Sequence, residues 1–157
     1  MMAQPEKRSI LFVCSGNICR SPLAEGVFTH LAGQAGRGDE FTADSAGIGN
    51  WHEGELPDPR SRATARRYGF DISGQRARQI RPEDFGRFSI ILGMDSGNMA
   101  ALKRLAGETS AAEVALFSEY TLGERRDVPD PYYGGDDGFE IVYHMLLAGC
   151  QSLMSKL

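Results

Sequence analysis

The sequence predicts a single α/β domain, a four-stranded parallel sheet with helices on both faces. Three observations predict it. Apolar runs of strand length alternate with helical patterns along the chain, an order that places helices on both faces of a parallel sheet. The two strongest runs, SILFV at 9–13 and SIIL at 89–92, are nearly continuous in apolar residues, as strands buried on both faces are. The length of 157 residues fits one domain that folds without disulfide staples. No repeat, low-complexity tract or break in composition marks a second domain, so residues 1–157 are read as one. Residues 1–8 form a polar, flexible N-terminus in this reading.

Each element has its own signal. After Ser9–Val13 comes the loop CSGNICR, then Leu23, Val27 and Leu31 at spacing four, with Ala24 and Phe28 beside them. Ser21 is the expected N-cap of this helix, with Pro22 at its first position. Phe41–Ala46 is a weaker strand. Asp58-Pro59 repeats the cap-then-proline signal and opens a helix towards Tyr68 and Gly69. Ser89–Leu92 is the second strong strand, 97–105 a helix, and Val114–Phe117 a fourth strand. A polar loop, VPDPYYGGDDG, leads to the last helix. There Phe139, Val142, Leu146, Cys150, Leu153 and Leu157 share one face, and Asp137 and Glu140 have capping-box spacing.

Composition excludes several classes. Hydrophobic residues make up 41% and charged residues 24%, which argues against disorder. A net charge of −4 argues against general nucleic-acid binding. No apolar run nears the ~20 residues of a membrane span, and no signal-peptide core is present, so the expected location is the cytoplasm. Three cysteines without a secretory signal do not make a disulfide framework. Cys150, on the apolar stripe, reads as an inert core residue. His30, His52 and His144 form no ligand-spaced cluster, and HExxH, paired CxxC and Walker A patterns are absent, so neither metal nor cofactor is expected. Seven arginines lie between Arg60 and Arg81. They read either as a solvated face or as a positive patch that draws in anions.

The chemistry concentrates in one loop. Cys14 ends a buried strand, at the carboxyl edge where parallel sheets bind ligands. Gly16 and Asn17 permit unusual backbone angles, and a helix follows. A short loop before a helix N-terminus aims backbone N–H groups at one centre, and the macrodipole adds positive potential. Arg20 brings a planar fork that matches two phosphate oxygens. This is a nest for a tetrahedral oxyanion, and a cysteine facing it is expected as a thiolate. The Ser21 hydroxyl is placed to stabilise that thiolate by a hydrogen bond. A thiolate under a phosphate ester is set for in-line attack, with the equatorial oxygens held by amides and Arg20. The leaving oxygen needs a proton. Asp58 and Asp130, each in Pro-Asp-Pro, are the candidates. Asp58 already has a sufficient role as helix cap. Asp130 leads into Tyr132-Tyr133-Gly134-Gly135, which no regular element requires, and chemistry favours it. Trp51 is either the opposite wall of a cleft or an ordinary partly buried tryptophan.

With these residues in view, the chain resembles the low-molecular-weight protein tyrosine phosphatases. The resemblance rests on CSGNICRSP at 14–22, DSAG at 44–47, Trp51, ARQI at 77–80, LGMD at 92–95 and DPYYGG at 130–135, in family order over nearly the whole length. It implies hydrolysis of protein phosphotyrosine without metal or cofactor. It implies Cys14 as nucleophile, Arg20 as phosphate binder, and Asp130 as acid and then base. Ser15, Gly16, Asn17, Ile18, Cys19 and Ser21 would form the phosphate loop, with Ser45 in its hydrogen-bond network. Trp51, Tyr132 and Tyr133 would line the substrate cleft. Cys19 matches a loop cysteine that in relatives pairs reversibly with the nucleophile, though it also reads as a small loop filler. Many relatives carry His where this chain has Gln75, so the network should bond differently here.

The implied partners are a phosphotyrosine protein and inorganic phosphate or another oxyanion inhibitor, with no nucleic acid and no membrane. A tyrosine kinase controlling polysaccharide export and a host protein are both targets among bacterial relatives; the residues do not choose. Two rival activities share the fold. Arsenate reductases relay a disulfide through further cysteines, and here only Cys150 lies outside the loop. Protein-arginine phosphatases typically carry Thr where this chain has Ile18, with a less aromatic acid loop. A pure phosphate-binding module would need neither a thiolate nor a loop acid.

Overall fold

A computed structural model of the protein describes residues 8–108, 110–135 and 137–157. β1 (Arg8–Cys14) and β2 (Phe41–Gly47) pair in parallel, Phe12 opposite Ser45 and Cys14 opposite Gly47. β3 (Ile90–Gly93) lies on the other side of β1, and β4 (Glu113–Leu116) completes the order β2-β1-β3-β4. All pairings are parallel, as the nearly continuous apolar runs require.

The strand period of two divides β1 between two cores. Ile10, Phe12 and Cys14 face a core completed by α1 (Arg20–Gln34), α5 (Phe117–Leu122) and α6 (Asp137–Lys156). Leu11 and Val13 face a second core with Phe85 of α3 (Asp84–Arg87) and Leu102 of α4 (Ser96–Ala106). Each fully buried Leu, Ile or Phe contributes about 1.5–3 kcal/mol. β1 is therefore the best-anchored strand, and the loop at its end starts from a fixed point. The chain steps from β1 to β2 on one side and then crosses back over β1 to β3 on the other. The loops after β1 and β3 accordingly meet at the switch point of the sheet, where α/β folds bind ligands.

Several local expectations are corrected. β1 begins at Arg8, so residue 8 belongs to the sheet; residues 1–7 of the expected N-terminal extension lie outside the described residues. α1 starts at Arg20 with Cys19 as its cap residue, and no side chain caps it. Ser21 is thus inside the first turn and Pro22 is its third residue. The Ser21 hydroxyl serves Cys14 instead. The fourth strand ends at Leu116, where Phe117 turns into α5, because its ring belongs to the first core. Asp137 is already helical, and Glu140 turns away to Arg67 and Tyr68 instead of forming a capping box. α2 (Pro59–Arg67) follows expectation: Asp58 accepts from the Arg60 N–H at 2.8 Å, and Pro59 leads the helix.

Candidate active site

The loop from Cys14 to Arg20 is held from behind. Asn17 has φ +59°, the only positive φ of a non-glycine residue among those described. Asparagine tolerates that conformation, and such outliers collect at functional loops. Its side chain shows why the strain persists. The Asn17 Oδ1 accepts from the Arg78 N–H at 3.0 Å. Its Nδ2 donates to Ser21 Oγ at 2.8 Å and to Ser45 Oγ at 3.0 Å. β2 closes in from below. A Cβ at Gly47 would stand 3.0 Å from the Gly16 carbonyl carbon and 3.1 Å from the Asn17 nitrogen, so DSAG needs its glycine.

Bent this way, the N–H groups of Gly16 to Cys19 donate to no protein group among the described residues. Ser21 Oγ lies 3.0 Å from Cys14 Sγ, and the Ser21 N–H points at the same sulfur at 3.4 Å. Because the Asn17 amide already donates to Ser21 Oγ, the hydroxyl proton is free for the sulfur.

Arg20 is 1% exposed. Its Nη1 donates to Asp95 Oδ2 at 2.6 Å and to the Val128 carbonyl at 3.0 Å. Its Nη2 reaches Ser15 Oγ at 3.4 Å and stands 3.6 Å from Asp130 Oδ2. Its Nε is the one buried side-chain N or O atom without a partner among the described residues. Native proteins seldom leave such a donor idle, and an anion is its natural acceptor. Burial works against the guanidinium charge, but Cys14 and Asp95, with Asp130 beyond them, hold it above its ordinary range.

Cys14, Ser15, Gly16, Ile18, Cys19 and Arg20 floor a cavity of about 420 Å³. Trp51, His52, Asp130, Tyr132 and Tyr133 wall it. Trp51 is 67% exposed, packs over Gly49, and takes the wall position rather than the buried one. Tyr132 and Tyr133 meet edge to face at 4.9 Å. Asp130 accepts the Tyr132 N–H at 3.0 Å, which ties its carboxyl and the aromatic wall into one turn. The side chains of Asn17, Ser21 and Ser45 stand behind the loop and do not line the cavity. Asp58 is buried and occupied: Arg60 grips it twice at 3.0 Å, and despite burial these bonds hold its carboxyl below the usual range. Burial pushes the Cys19 thiol up, with Asp58 and Cys14 adding to it; burial alone does the same to Cys150 in the core.

Three residues carry more than the sequence disclosed. Asp95, which caps α4 in a reciprocal box with Asn98, also anchors Arg20. Asn98 donates to Ser15 Oγ at 3.2 Å. His52 borders the cavity, with Nδ1 3.1 Å from Glu55 Oε2. The Asp-x-x-Asn spacing could have disclosed the cap, though not the arginine.

A cysteine and an arginine six residues apart, between a central parallel strand and a helix, define a phosphate-handling enzyme of α/β class. The chain belongs to the low molecular weight phosphotyrosine protein phosphatase family, whose model matches residues 9–157, and it is a phosphatase. It is 45% identical over 152 residues to a low molecular weight protein-tyrosine-phosphatase of Streptomyces coelicolor, covering 94% of this chain and 92% of that one. The crystal structure of YfkJ from Bacillus subtilis matches with a TM-score of 0.90 at 38% identity, over 98% of this chain and 96% of that one. A Drosophila arginine phosphatase matches with a TM-score of 0.87 at 29% identity, over 94% and 96%.

Proposed function

We propose that the protein hydrolyses phosphotyrosine in proteins through a phosphocysteine intermediate. The observation that carries this reading is the convergence of Cys14 Sγ, Arg20 with its unpartnered Nε, and Asp130 on one aromatic-walled cavity. The phosphoryl group sits in the loop, its oxygens on the free amides and on Arg20. The Cys14 thiolate, steadied by Ser21, attacks phosphorus in line. The S–P bond forms as the P–O bond to tyrosine breaks. Asp130, entering this step protonated, gives its proton to the departing phenolate. Asp130 then takes a proton from a water whose oxygen attacks phosphorus. The S–P bond breaks, phosphate leaves, and the Ser21 hydroxyl receives the thiolate again.

Arg20 and the amides supply the positive field a metal would otherwise provide, so the reaction needs none. The aromatic side chains of Trp51, Tyr132 and Tyr133 suit a flat phenyl ester better than a guanidinium. A disulfide relay has no outlet, because Cys150 is buried in the core. Burial of the Cys19 thiol favours its role as loop filler over ready oxidation. No described helix is long and apolar enough to cross a membrane. We place the reaction in the cytoplasm, on a phosphotyrosine protein, with inorganic phosphate as competing ligand.

The test is phosphate release from a phosphotyrosine peptide, with chelator present, by wild type beside Cys14→Ser. Turnover by wild type alone supports the reading. Faster release from a phosphoarginine peptide would move the substrate class, and loss of activity with chelator would overturn the metal-free step.

A further inference from the structure

On the side of the loop away from the cavity, hydrogen bonds lead from Cys14 to a carboxyl that the mechanism above does not use. Cys14 Sγ meets Ser21 Oγ at 3.0 Å, Ser21 meets Asn17 Nδ2 at 2.8 Å, and Asn17 meets Ser45 Oγ at 3.0 Å. Ser45 Oγ then donates to Glu25 Oε1 at 2.8 Å. The direction of this chain is fixed by one outside contact. The Arg78 N–H donates to Asn17 Oδ1, which turns Nδ2 towards both serines. Each serine oxygen accepts one N–H and sends its own proton outward, Ser21 to the sulfur and Ser45 to Glu25.

Glu25 lies on α1, partly buried, beside a hollow of about 450 Å³ that His30, Phe70, Asp71 and Gln75 also line. Among the described residues no cation bonds it. Arg78 is engaged by Asp44 at 3.1 Å and Asp84 at 3.0 Å. Asp44 brings a like charge from β2. Gln75 gives its Nε2 to the Pro22 carbonyl at 3.0 Å and turns its Oε1 to Ser45 at 3.5 Å. Burial is the main reason the Glu25 carboxyl is pushed up to about 7; Ser45 and Arg78 oppose the shift and Asp44 adds to it.

We propose that Glu25 is a positioning residue for Cys14 that works in its neutral form, and that its ionisation loosens the nucleophile's hydrogen bond. With the proton on Oε2, Oε1 still accepts from Ser45 and the chain is complete. The anion instead pulls harder on the Ser45 proton, which draws the Asn17 amide towards Ser45 and away from Ser21. Ser21 then loses the donor that orients it, and the Ala46 carbonyl, 3.4 Å away, competes for its proton. The device is specific to Gln75, because an imidazolium at that position would pair the anion.

The proposal rests on Cys14 as the nucleophile, so two of its three tests need no turnover. Carbon-13 NMR of labelled glutamates should show Glu25 titrating near 7 in wild type and lower in Gln75→His. The rate of Cys14 alkylation by iodoacetamide, with Cys14→Ser as blank, should show a step across neutral pH in wild type that Glu25→Gln lacks. On an aryl phosphate with a good leaving group, which dispenses with Asp130, kcat/KM of wild type should fall about fivefold through the same ionisation, the worth of one hydrogen bond. Glu25→Gln should remove that fall, and Gln75→His should shift it. A Glu25 that titrates in the ordinary carboxylate range, or an unchanged step in Glu25→Gln, would overturn the proposal. Failure of the turnover arm alone, with both other arms as expected, would fault the phosphatase mechanism and leave the coupling of Glu25 to Cys14 standing.

Discussion

Asp95 offers a test of how the buried arginine is aimed. Its Oδ2 holds Arg20 Nη1 at 2.6 Å, while its Oδ1 accepts the Asn98 N–H at 2.7 Å as the cap of α4. The two oxygens do separate work, and two substitutions separate them. Asp95→Asn keeps a good cap but removes the charge. A charge-assisted hydrogen bond to a buried group is worth about 1.5–3 kcal/mol. Spent entirely on orienting Arg20 in the transition state, that is roughly a tenfold to hundredfold loss in kcat/KM. Asp95→Ala adds the loss of a cap, about 1 kcal/mol. In a chain of this size that lowers Tm by roughly 2–4 °C. The assay is steady-state hydrolysis of an aryl phosphate, with inhibition by inorganic phosphate, beside thermal unfolding of both variants. An opposite force exists, since Asp95 also repels an anionic substrate. If Asp95→Asn matched or exceeded wild type, repulsion would outweigh positioning and the argument that Asp95 aims Arg20 would be wrong.

Asp130→Ala should slow hydrolysis of poor leaving groups far more than good ones, by ~10²–10⁴-fold for an unactivated phenol; equal losses on both would place the acid elsewhere. Glu25 predicts a stability trend. Its carboxyl rises from an ordinary 4.5 to about 7 on folding, so between those values the native state holds a proton that the unfolded chain does not. Stability from this group is therefore fully present at low pH and is lost as pH rises towards 7. The Tm advantage of Glu25→Gln over wild type should grow between about pH 5 and 8; a constant difference would refute the trend. Gly47→Ala should cost activity as well as stability, because its Cβ would press on the backbone of Gly16 and Asn17. An active Gly47→Ala enzyme would show that the loop can give way.

What could be read from the sequence was what is local. The apolar runs of β1 and β3, the cap-and-proline start of α2 and the stripe of α6 each lie within one window. So does the Cys14–Arg20 loop, whose N–H groups from Gly16 to Cys19 are left without protein acceptors among the described residues. What escaped depends on distant partners. Arg20 meets Asp95 from across the switch point, and only the strand order β2-β1-β3-β4 brings them together. Ser21 looked like a cap because its neighbours suit one; a thiol seven residues back claimed the hydroxyl instead. α3 and α5 are too short for periodicity to show. Glu25 passes for a solvated helix residue until Ser45 is seen against it.

The proposed mechanism turns on a covalent bond between Cys14 and phosphorus. Wild type and Asp130→Ala should be mixed with an aryl phosphate whose good leaving group needs no acid, quenched rapidly in acid, digested and weighed by mass spectrometry. One phosphoryl group is expected on the peptide carrying Cys14, more abundant in Asp130→Ala because attack by water is slowed, and none in Cys14→Ser. Turnover with no phosphoryl group on Cys14 at any quench time, or a phosphoryl group on another residue, would contradict it.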